Sequence, residues 1–172
     1  MALRIATLDE LIDADADARI RARHAARRGE VMRATLRLFV DGTAPVTVPA
    51  IAAALPHRPG EAVRATVSAL EAEDLVVLRG DEVRFAYPFA AAPSAWTVRW
   101  PDGRERYACC AIDALGMAPM LGHAVDISSR CHHSAAPLEL SVDPSGPGAG
   151  SAGVMVWISK RPEGAACVAD SL

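Results

Sequence analysis

Between residues 31 and 87 the apolar pattern changes period, and that change constrains the fold more than any other feature of the chain. Val31, Thr35, Leu36, Leu38 and Phe39 recur at helical spacings, and Asp41-Gly42 supplies a stop. Thr47-Val48-Pro49 then predicts a second helix start, since threonine caps and proline is tolerated in a first turn; Ile51, Ala54 and Leu55 form its face. A third helix follows Pro59-Gly60 and runs through Val63, Val67 and Leu70 to Asp74. Beyond it, Leu75-Val76-Val77-Leu78 and Glu82-Val83-Arg84-Phe85-Ala86-Tyr87 flank Arg79-Gly80-Asp81 and read as a hairpin. Three helices and a hairpin form a winged-helix pattern.

The Pro-Phe-Ala-Ala-Ala-Pro stretch from Pro88 to Pro93 marks a domain boundary. Strands are expected at Trp96 to Trp100, His123 to Ser129, Leu138 to Val142 and Val154 to Ile158. Arg104 to Tyr107 leads into a cysteine-bearing stretch, and Ala111 to Leu121 reads as a buried helix with Met117, Met120 and Leu121 toward the core. Asp143 to Gly153 reads as a loop. The expected fold class is α+β: an N-terminal extension (1–30), a winged-helix-like helical domain (31–88), and a small mixed or antiparallel sheet domain with a buried helix (94–172). Residues 9 to 29 are charged and alanine-rich, a solvated helix with a basic run through Arg19, Arg21, Arg23, Arg27 and Arg28.

Charge argues against two classes of partner. The formal net charge is −3 and the pI about 5.9, without the positive excess of a general nucleic-acid or anionic-membrane binder. The third helix carries Glu61, Glu71, Glu73 and Asp74 against Arg64, which disfavours base reading in a groove. No window approaches the roughly 18 apolar residues of a membrane span, and acidic residues follow Met1 too soon for a secretion core, so a cytoplasmic location is expected.

The four cysteines, Cys109, Cys110, Cys131 and Cys167, therefore read as reduced thiols. Tyr107-Ala108-Cys109-Cys110-Ala111-Ile112-Asp113 concentrates the chain's reactive chemistry. With a helix beginning at Cys110, Cys110 and Asp113 share a face, where a carboxylate can exchange a proton with a thiol. A helix N-terminus at Cys110 is expected to lower the thiol pKa. Cys131 with His132, His133 and His123 offers metal-ligand residue types, but the spacing matches no zinc pattern, so a surface turn with a packed cysteine is the expectation.

Between Tyr107 and Val142 stand Tyr107-Ala-x-Cys110-Ala-Ile-Asp113-Ala-Leu115, Pro119, Leu121-Gly122, Val125-x-Ile127-Ser128-Ser129-x-Cys131 and Ala136-Pro137-Leu138-x-Leu140-x-Val142. In these residues the sequence resembles the organomercurial (alkylmercury) lyase family. The resemblance implies protonolysis of a carbon–mercury bond in a small organomercurial, with two thiolates holding the metal. Cys110 would be the first thiolate and Asp113 the acid/base, while Cys131 would be structural. No organic cofactor is implied; external thiols would release the product. Cys167 is the candidate second thiolate, although the family's Cys-Cys pair and following aromatics are replaced by Ala165-Ala166-Cys167-Val168-Ala169-Asp170, and the chain stops at Leu172. Either Cys167 serves within this shortened C-terminal frame, or Cys109 substitutes, or the lyase reaction has been lost or changed. The alternative is a non-catalytic module that binds or senses a soft metal or thiol redox state.

Overall fold

The computed structural model describes residues 29–42 and 45–156, with residues 7, 10, 18, 21, 22 and 25 besides. Cys167, most of the charged N-terminal stretch, and Trp157 and Ile158 of the expected last strand lie outside the described residues. Three helices come first: α1 (Glu30–Asp41), α2 (Val48–Ala53) and α3 (Gly60–Ala72). Helix α1 buries Val31, Met32, Thr35 and Phe39 along one stripe, and α3 buries Val63, Val67 and Leu70. Thr47 caps α2 as its sequence requires, its hydroxyl accepting from the Ala50 amide at 3.2 Å, with Pro49 in the first turn.

The strands β1 (Val76–Arg79), β2 (Glu82–Ala86), β3 (Phe89–Ala90), β4 (Thr97–Arg99), β5 (Glu105–Ala108), β6 (Val125–Arg130), β7 (Pro137–Asp143) and β8 (Gly146–Pro147) form one sheet. Their spatial order is β1-β2-β3-β5-β4-β6-β7-β8, and every neighbouring pair is antiparallel. Helix α4 (Ala111–Leu121) connects β5 to β6. Strand β3 lies in the stretch expected as a turn-rich junction: Phe89 pairs with Ala86 on one side and Ala108 on the other, so the sheet is continuous through it. Val154, Met155 and Val156 are irregular and exposed rather than the start of a strand.

Alternation along the strands separates two faces. Val98, Ala108, Ile127, Leu140 and Val142 point into the core that the helices cover. Glu105, Asp126, Ser128, Glu139 and Ser141 point away, and cross-strand bonds join four of them in pairs, Ser128 to Glu139 and Ser141 to Asp126 at 2.6 Å each. The side chain of Arg106, on the core side of β5, reaches α1, where Nε donates to Phe39 O at 2.6 Å and a terminal nitrogen to Val40 O and Gly42 O at 2.9 and 2.8 Å. These are carbonyls at the C-terminal end of α1, where a cation is favoured. Beside this tie, Phe39 stacks on Phe89 with ring centroids 5.6 Å apart.

Candidate active site

Cys110 sits where β5 ends and α4 begins. Its backbone is extended (φ −152°, ψ −179°), and its sulfur caps the helix by accepting from the Asp113 amide at 3.4 Å. The Cys110 thiol in turn donates to Asp113 Oδ2 at 3.1 Å, so the residues paired on sequence spacing are in direct contact. The sulfur thus serves as the N-cap acceptor of α4 while its proton points at the carboxylate three residues on, and the Cys-x-x-Asp spacing carried that signal in the sequence. The amides of Ile112 and Asp113 both face the sulfur.

The expected fall in the thiol pKa is reversed. Burial, followed by the charge of Asp113, pushes Cys110 from 9.0 up to about 11, against the smaller lowering by the backbone amides. The helix start is present, but desolvation and a neighbouring carboxylate outweigh two amide donors. At neutral pH Cys110 is therefore a thiol whose proton is already directed at a carboxylate oxygen.

Helix α4 holds Asp113 in place by burying Ala114, Met117 and Ala118 against β5, β6 and β7. Of the three residues expected toward the core, Met117 is fully buried and Leu121 packs against the core half-buried, but Met120 is corrected: it is 43% exposed, as is Ile112 at 54%, because the fully buried stripe runs through positions 114, 117 and 118. Gly122 ends the helix at φ +76°, its amide donating to Ala118 O at 2.9 Å.

The remaining cysteines part company. Cys109 is buried on the opposite side of the strand from Cys110, clustered with Tyr87 and Ala90, and its thiol donates to Phe89 O at 3.2 Å. Cys131 lies in the β6–β7 turn. The turn was expected, but the cysteine is exposed rather than packed, and the Ser134 hydroxyl and nearby amides lower its pKa. His123 precedes β6 and Cys131 follows it, so six strand residues, roughly 20 Å, separate them. Among the described residues no group of three or more histidines, cysteines or carboxylates is placed to hold a metal ion.

A family model described as alkylmercury lyase matches residues 89–172. Over this segment the chain is similar to the alkylmercury lyase family. The alkylmercury lyase of Staphylococcus epidermidis is 31% identical over 114 residues, 66% of this chain and 50% of that protein. The alkylmercury lyase of Bacillus cereus is 31% identical over 87 residues, 51% of this chain and 38% of that protein. The chain thus spans half or less of the length of these curated relatives. The fold is similar to that of the mercury-bound form of MerB2, with a TM-score of 0.59 at 20% identity, covering 76% of this chain and 65% of the other. Cys110 and Asp113 fall inside the segment shared with the alkylmercury lyases, whereas α1, α2 and α3 precede it.

Proposed function

We propose that this protein cleaves the carbon–mercury bond of a small organomercurial by protonolysis. The observation that carries the reading is the 3.1 Å contact between the Cys110 thiol and the Asp113 carboxylate within the family-matched segment. Mercury is a soft cation and sulfur is the softest protein ligand. As the Cys110 sulfur displaces the exchangeable ligand of the substrate's mercury, an external thiolate or halide that leaves as its anion, the thiol proton passes to Asp113, giving a carboxylic acid and an organomercury thiolate. A second thiol, assigned to Cys167, then binds the same mercury and loses its proton to solvent. Two thiolates place electron density on the metal and through it on the bound carbon. Asp113 returns its proton to that carbon, the carbon–mercury bond breaks, and hydrocarbon leaves. External thiols exchange with Cys110 and Cys167 to remove mercury. Cys109 has no role as a ligand in this scheme, because its side chain lies on the other face of β5.

The second domain of this reading is 94–172. The segment 31–88 is assigned as winged-helix-like: three helices are followed by the β1–β2 hairpin, and Thr47, between α1 and α2, bridges to Glu82 of β2. Residues 1–30 are an extension. The scheme needs no organic cofactor and requires reduced thiols, which a cytoplasmic location supplies.

The test is incubation of the full chain with a small organomercurial and excess external thiol, reading released hydrocarbon. Cys110→Ser, Asp113→Ala and Cys167→Ser should each abolish release. Mercury retained at Cys110 with no hydrocarbon formed would replace the lyase reading by a non-catalytic soft-metal module. Unchanged turnover in Cys167→Ser would remove that residue from the mechanism.

A further inference from the structure

We propose that Cys109 is a positioning residue that fixes the Cys110–Asp113 contact through the bond from its own thiol to the Phe89 carbonyl; its link to turnover rests on the lyase reading above. Residue 109 is the last point at which the end of β5 is fastened to its neighbour. Its amide donates to Pro88 O at 3.0 Å and its thiol to Phe89 O at 3.2 Å, two consecutive carbonyls at the start of β3, one just before the strand and one within it. The anchor is itself fixed, since Phe89 is fully buried and stacked on Phe39 of α1. One residue later the chain is already turning into α4 at Cys110.

Cys110 is the joint between two bodies. It follows the end of β5 yet belongs to the first turn of α4 as its N-cap, its carbonyl accepting from the Ala114 amide at 3.0 Å and its sulfur from the Asp113 amide at 3.4 Å, while α4 is seated through Ala114, Met117 and Ala118. The thiol of Cys109 is the side-chain fastening on the strand side of that joint, one residue from the 3.1 Å contact. A thiol is a weak donor, so its loss leaves the sheet intact while loosening the joint. Small displacements at a proton-transfer contact cost rate steeply.

The experiment compares Cys109→Ala, which removes the donor, with Cys109→Ser, which keeps one, in the full chain. Under the proposal Cys109→Ala lowers kcat on the order of tenfold with KM nearly unchanged, and Cys109→Ser restores most of the loss. If the alanine variant fails to fold, Cys109→Val, which fills the space without a donor, takes its place and should show the same defect. A readout independent of turnover is the alkylation rate of Cys110 by iodoacetamide, located by tandem mass spectrometry. It should rise several-fold without the donor, as the sulfur leaves Asp113, and stay at the wild-type value in Cys109→Ser. This arm decides the proposal even where wild-type protein releases no hydrocarbon, the result that would count against the lyase reading. Wild-type behaviour of the alanine or valine variant in both readouts would overturn the proposal. So would a serine variant no better than alanine, or loss of mercury binding on removal of the Cys109 sulfur.

Discussion

Replacing Asp113 by asparagine should lower the pKa of Cys110 while leaving the cap on α4 in place. Burial is the largest cause of the rise from 9.0 to about 11, and the Asp113 charge and its hydrogen bond from the thiol account for further raising. A two-unit rise leaves about one hundredfold less thiolate at neutral pH than an ordinary thiol would have. Asparagine removes the charge but not the burial, so part of that factor, on the order of tenfold, should return. The assay is the pH dependence of iodoacetamide alkylation at Cys110, resolved by mass spectrometry, whose midpoint should move down from about 11 but stay above 9.0. Stability should follow with a definite sign. The folded thiol holds its proton more tightly than an unfolded one, so this contribution is intact below pH 9 and is lost as pH rises toward about 11. In Asp113→Asn that loss should begin and finish over a narrower span. A midpoint that stays fixed or rises would show that the carboxylate does not act on the sulfur, and the proposed proton route would fall with it.

Arg106→Ala should destabilise the fold by about 2–3 kcal/mol in denaturant titrations, because it removes the guanidinium bonds to Phe39, Val40 and Gly42. Arg106→Lys should recover little, since the bonds come from two separate nitrogens of a planar guanidinium, positions that a single ammonium cannot both occupy. Met117→Ala, at a fully buried position under α4, should cost about 2–5 kcal/mol in the same measurement. Gly122→Ala should cost on the order of 1–2 kcal/mol by thermal melting, entirely through its φ of +76°, because open space surrounds the added carbon.

The three helices and the β1–β2 hairpin were legible because their apolar residues recur at regular spacings and their ends carry punctuation such as Thr47-Val48-Pro49 and Gly80. Strand β3 was hidden because two residues following a proline cannot display a period; it exists through pairing to both β2 and β5. Burial of α4 was overread, as its sequence is apolar on every side while only one stripe meets the sheet. The Cys110–Asp113 pair was visible in spacing, yet its electrostatic sense was not: a helix start predicts a lowered thiol pKa, and desolvation with a nearby carboxylate reverses it. The tie from Arg106 to α1 spans more than sixty residues of sequence and leaves no local signal.

The most direct test of the proposed reaction is to run it in deuterated water with a small organomercurial and excess external thiol. The account predicts hydrocarbon bearing one deuterium, formed by the wild-type protein and not by Asp113→Ala, although that variant still binds mercury at Cys110. Hydrocarbon released by Asp113→Ala at the wild-type rate would contradict it.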